Sequence, residues 1–151
     1  GSAGGLLIGA VLNKAPELFL GAILAVPFVD SLTTNLDHSL PLTLGEFKEF
    51  GNAKKYKKHF EYIKSYAPYN NIKKQKYPHI LVTTSIFDNR VLFDEPAKYV
   101  AKLRRYKKDK NILLLKTEME AGHGGKTGRD ASIEELALEF SFILKIIGIK
   151  N

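Results

Sequence analysis

"YPHILVTTSIFDNRVLFDEPAKYVAKLRRYKKDKNILLLKTE" (residues 77–118) is the stretch whose reading decides the fold. His79–Thr84 is a short apolar run rich in β-branched residues, and such a run reads as a strand. From Asp94 to about Tyr106 apolar residues return at helical spacing. Asp94 can cap that helix, and Pro96 lies in its first turn, where a missing N–H leaves nothing unsatisfied. Asn111–Lys116 is a second short apolar run behind a lysine-rich turn. Strand, helix and strand in this succession form a crossover unit, which requires parallel strands.

Working outward, "GAILAVPFV" (Gly21–Val29) predicts a third buried strand, ending at Pro27 or just beyond. Residues 3–14 are apolar nearly all round and contain Ala3, Gly4, Gly5, Gly9 and Ala10, which predicts a closely packed, deeply buried helix. Residues 30–52 show no regular period and read as a long excursion. A helix is expected over about 53–65. Ser132–Glu135 has the form of a capping box. Behind it Ile133, Leu136, Ala137, Phe140, Ile143, Leu144 and Ile147 make a helical stripe that Gly148 can stop. The fold class is therefore α/β, a short parallel sheet with helices on both faces. A helix stands first, with no strand before it. The expectation is the C-terminal half of a larger sheet, with the outer side of strand Gly21–Val29 unpaired and prone to self-association.

Composition narrows the chemistry. The 151 residues include no cysteine, which excludes disulfides, thiolate metal sites and a cysteine nucleophile. No signal sequence is visible, and no apolar run reaches the roughly 18 residues of a membrane span, so a cytoplasmic protein without membrane contact is expected. Net charge is +7, concentrated in Lys54–Lys58, Lys73–Lys76 and Lys102–Lys110. Lysines interleaved with Tyr56, Phe60, Tyr62 and Tyr66 allow a nucleic-acid face. The spacing of Tyr56, Phe60 and Ile63 instead fits one apolar stripe on an amphipathic helix whose other face is solvated lysine, and this reading is preferred.

Three polar residues fall at equivalent places. Ser2 precedes the first helix, Asp88 follows strand His79–Thr84, and His123 follows strand Asn111–Lys116. Singly these read as a flexible end, a loop carboxylate and a loop histidine. Loops after the C-termini of parallel strands open on one edge of a sheet, so the three can converge. Their chain order, Ser…Asp…His, is that of an α/β-hydrolase triad. A serine hydroxyl becomes a nucleophile when an imidazole takes its proton, and the imidazole needs a carboxylate to fix its tautomer. Small neighbours around Ser2 allow a sharp turn, and Gly122, Gly124 and Gly125 let the histidine loop bend back.

The same residues carry a resemblance. "GSAGGLLIGAVLNKAPELF" resembles the nucleophile region of the prolyl oligopeptidase family of serine peptidases. "VPFVDSLTTNLDHSLPLTLGEFKEFGN", with its specific Leu42–Asn52 part, is similar to the oligopeptidase B (protease II) branch, and the likeness continues through "LLLKTEMEAGHGGKTGR". It implies a peptidase with a β-propeller and an α/β-hydrolase domain, of which residues 1–151 would be the C-terminal part. It implies Ser2 as nucleophile, Asp88 as orienting acid, His123 as general base and the Ala3 N–H as one oxyanion donor, with the other donor, a tyrosine, upstream. Arg90 would hold a substrate carbonyl. Glu46 would face the basic side chain of peptides cut after Arg or Lys, and no metal or cofactor is implied. Where the family commonly has a second acid, two residues after Glu46, this chain has Lys48. The alternatives are a catalytically dead fragment, or a subunit that needs its upstream half, and a basic binding module.

Overall fold

Alternation along three strands sorts the molecule into two faces. The computed structural model describes residues 1–149. β1 (Gly21–Ala25), β2 (His79–Ser85) and β3 (Leu113–Glu118) form one parallel sheet in that order. Gly21 is in register with His79, and Ile80 with Leu113. Leu24, Ile80 and Val82 point to one face, where α1 (Ala3–Lys14) and α5 (Asp94–Tyr106) cover them through Leu12, Tyr99, Val100 and Leu103. On the other face lies α6 (Arg129–Ile146). It approaches so closely that a Cβ on Gly21 would collide with Ile146.

Several expectations need correction. β1 stops at Ala25, because Val26 takes φ 41° and the chain then turns beneath the start of α1. β3 runs from Leu113 rather than Asn111. The Ile112 N–H donates to His79 Nδ1, and the Asn111 N–H and side chain are held by Asp109 and the Tyr77 carbonyl. Residues 30–52 contain two helices, α2 (Ser31–Leu36) and α3 (Thr43–Phe50), each too short for a period to show. α4 starts at Lys57 and ends at Tyr66, since Ala53 and Lys55 are tied in a turn by Asn35 and Asn52. α5 begins at Asp94 itself, which pairs with Lys98 instead of capping. α6 begins at Arg129, so Ser132 lies inside the helix and bonds back to the Gly128 carbonyl.

Burial also departs from pattern. α1 buries Gly5, Gly9, Leu12 and Asn13 but leaves Leu7 exposed, so it is covered on one side only. In α6 only Phe142 is buried, and the stripe from Ile133 to Ile147 lies largely open to solvent. The aromatic and lysine pattern of α4 resolves as expected in part: Ile63 is buried and Phe60 half-buried against Leu32 and Ala67, but Tyr56 is exposed. Among the described residues no helix is long and apolar enough to cross a membrane.

Candidate functional site

The site is assembled where β1, β2 and β3 end. The first component is the turn into α1. Ser2 occupies the N-cap position, where a serine hydroxyl ordinarily bonds a backbone N–H of the first turn. Its side chain makes no such bond. The cause is its backbone, at φ 49° and ψ −127°, a conformation that L-residues rarely adopt and that aims the hydroxyl away from the helix. The turn is held by backbone alone: the Ser2 N–H donates to the Ala25 carbonyl at 2.9 Å, and the Phe28 N–H donates to the Ser2 carbonyl at 2.9 Å. Such close approach requires Gly5, because any Cβ there would collide with Pro27 and lie 3.0 Å from the Phe28 nitrogen.

The second component is the loop after β2. The Asp88 side chain is wholly shielded from solvent. One oxygen, Oδ1, accepts the N–H groups of Arg90 (2.8 Å) and Val91 (3.0 Å), which leaves Oδ2 free to act elsewhere. The third component is the loop after β3. Gly125, at φ 76°, turns it back on Gly122, and the Phe87 N–H donates to the Ala121 carbonyl at 3.2 Å. His123 is thereby set between the other two. Its Nδ1 lies 2.8 Å from Asp88 Oδ2, and its Nε2 lies 3.0 Å from Ser2 Oγ. With the proton on Nδ1, the carboxylate fixes the tautomer and the Nε2 lone pair faces the hydroxyl. A carboxylate, an imidazole and a hydroxyl in one hydrogen-bonded line can perform acyl transfer through the serine.

Beside Ser2 is a cavity of about 150 Å³ lined by Ala3, Phe28, Glu46, Arg90 and Glu95 among others. Ala3 is the first residue of α1, where the backbone N–H has no carbonyl one turn back and the helix dipole favours negative charge. Glu46, on α3, is half-buried. Desolvation, and then the nearby Glu49, push its carboxyl above the ordinary range. Lys48 and Glu49 are exposed and do not line the cavity. Arg90 is exposed at the cavity wall and forms no ion pair among the described residues. Ser2, Ala3, Glu46, Asp88, Arg90 and His123 are thus brought to this one region.

Glu95 is the charged lining residue that sequence reasoning missed. In the sequence it is one more acid in the first turn of a helix, just before Pro96. In the fold it is 4% exposed. Its oxygens accept the Asp30 N–H at 2.7 Å and the Thr34 hydroxyl at 2.9 Å. Thr43, at the start of α3, in turn donates to the Thr34 carbonyl at 3.0 Å. A chain of bonds therefore runs from α5 through α2 to the helix that carries Glu46. Burial raises the Glu95 carboxyl to about 7, against the lowering effect of its hydrogen bonds.

Residues 1–150 match the prolyl oligopeptidase family. Protease 2 of Moraxella lacunata is 52% identical over 150 residues, which are 99% of this chain and 22% of that protein. Dipeptidyl aminopeptidase BI of Pseudoxanthomonas mexicana is 47% identical over 151 residues, covering 100% of this chain and 21% of that one. The solved structure of oligopeptidase B from Trypanosoma brucei, closed and with covalently bound antipain, superimposes with a TM-score of 0.94 at 46% identity, over 99% of this chain and 21% of that one. The chain thus spans about a fifth of the length of these relatives.

Proposed function

The chain belongs to the prolyl oligopeptidase family, with the α/β-hydrolase fold of its catalytic domain, and we propose that it is the catalytic end of a serine peptidase that cuts short peptides after Arg or Lys. The observation that carries this reading is the line from Ser2 Oγ through His123 to Asp88, at 3.0 and 2.8 Å. Ser2 Oγ attacks the scissile carbonyl carbon as its proton passes to His123 Nε2. Asp88 stabilises the resulting imidazolium. The Ala3 N–H receives the developing oxyanion, and the imidazolium then protonates the leaving amine. Water, activated by the same histidine, releases the acyl group from Ser2. Arg90 holds a carbonyl of the peptide backbone, and Glu46, a half-buried carboxylate in the cavity beside Ser2, receives the basic side chain.

We read these residues as working within a longer polypeptide that supplies a second oxyanion donor. Two features support that. The outer side of β1 has no strand partner among the described residues, and the apolar stripe of α6 is uncovered. Loss of one oxyanion donor alone costs about two to three orders of magnitude in rate, so the 151-residue chain by itself should turn over very slowly.

The test uses the protein at the length of its relatives. Ser2→Ala should lower kcat by about four orders of magnitude or more. Blocked Arg and Lys amides should be cut in preference to Pro amides, and an Arg substrate should keep its rate whether its N-terminus is free or blocked. Preference for Pro would overturn the basic specificity. A strict need for a free N-terminus two residues from the cut would favour a dipeptidyl aminopeptidase, as the 47%-identical relative is named.

A further inference from the structure

We propose that Glu95 is the second carboxylate of the pocket for the basic side chain, acting beside Glu46 as a specificity-determining residue. The proposal rests on the reading of that pocket given above. Its basis is an imbalance of charge. Glu95 is buried, lines the same cavity as Ser2 and Glu46, and no cation pairs with it among the described residues. A buried carboxylate is normally paired or neutral. Lys98, three residues further along the same helix, is already committed: it donates to Asp30 at 3.0 Å and lies 3.3 Å from Asp94. Asp30, on the segment entering α2, adds negative charge near Glu95, and Glu46 on α3 lines the same cavity. Arg90 is the other cation at the cavity, but it is exposed. Lys48 is exposed and outside the cavity.

The free site therefore holds two desolvated carboxylates and, apart from the exposed Arg90, no counter-charge. A guanidinium fits this arrangement, since it is planar, permanently charged and carries five donors that two carboxylates can share. The Asp30 N–H and Thr34 hydroxyl keep the Glu95 carboxylate fixed in one orientation, so it needs no reorganisation on binding. A neutral side chain of the same shape would leave both acids unpaired.

The probes are N-acetylarginine and its neutral isostere N-acetylcitrulline, bound to this chain at pH 6 and pH 8. The wild-type chain should prefer the arginine form by about tenfold or more at pH 8. That preference should shrink severalfold at pH 6, as Glu95 takes up a proton. Glu95→Gln should abolish most of the preference and its pH dependence. The carboxyl-carbon NMR titration of Glu95 in the wild-type chain, which requires no variant to fold, should move to lower pH by a unit or more on saturation with N-acetylarginine. If Glu95→Gln keeps the wild-type preference, or the titration does not move, the proposal fails. If in that case Glu46→Gln alone abolishes the preference, the basic-pocket reading stands without Glu95. If the wild-type chain shows no preference for the arginine form, both fall together.

Discussion

On one face of the sheet Leu24, Ile80 and Val82 are at most 1% exposed, sealed beneath α1 and α5; on the other, α6 lies across β1 and β2 with Leu136 at 52% and Phe140 at 55% exposure. α5 and α6 both carry apolar residues at helical spacing in the sequence. The difference shows that a stripe records what a helix is built to meet, and only the packing shows whether this stretch of chain supplies the partner. Large apolar patches left open in this way mark a contact surface, and here they lie on the face farther from the α1 packing that supports Ser2.

The comparison can be broken by truncating one residue on each face. Leu103→Ala on the sealed face should cost about 2–5 kcal/mol in urea unfolding. Phe140→Ser on the open face should cost less than about 0.5 kcal/mol. The open-face change should also lower any self-association seen by sedimentation. Equal costs would mean that α6 is as well covered as α5.

A second contrast is electrostatic. Glu95, at the start of the sealing helix α5, is held at about 7 by burial, above the unfolded value of 4.5. The folded state then binds more protons than the unfolded state between those two limits. Glu95's contribution to stability is therefore fully present below about pH 4.5 and falls as pH rises through about 7, by roughly 3 kcal/mol at most. Urea unfolding at pH 5 and pH 8 should show this loss in the wild-type chain and a smaller one in Glu95→Gln. No difference between the two would remove Glu95 as the cause.

The smallest effect compares two glycines. Gly5→Ala drives a methyl into the backbone at Pro27 and Phe28 on the sealed side, and should cost about 1–3 kcal/mol and displace Ser2. Gly21→Ala meets the far end of the Ile146 side chain on the open side, which can swing away, and should cost about 1 kcal/mol or less. A larger penalty at Gly21 would reverse the ranking of the faces.

Much of this was legible in the residues. The strands at Gly21, His79 and Leu113 follow from β-branched and apolar runs, and α5 follows from its spacing and Pro96. Ser2, Asp88 and His123 were found because each stands next to an element end in a fixed order. What was not legible depends on contacts distant in sequence. α2 and α3 span six and eight residues, too few for a period, and are held by Thr34, Asn35 and Thr43. The β3 boundary depends on the His79 ring, and Glu95 acquires its character only from the segments at Asp30 and Thr34 folded over it.

The loops after β2 and β3 are joined beyond the sheet. The Ile86 N–H donates to the Glu118 carbonyl and the Phe87 N–H to the Ala121 carbonyl, immediately before Asp88 and His123. The two residues therefore belong to one cooperative unit of local opening, whereas Ser2 is carried by the turn into α1, which is bonded to the end of β1. In hydrogen–deuterium exchange, the amides of Ile86 and Phe87 should be released in a single event with those at the end of β3, on a timescale separate from the Ser2 turn. Asp88 and His123 would be lost and regained as a pair, and partial unfolding would yield molecules with an intact Asp–His couple but no correctly presented hydroxyl.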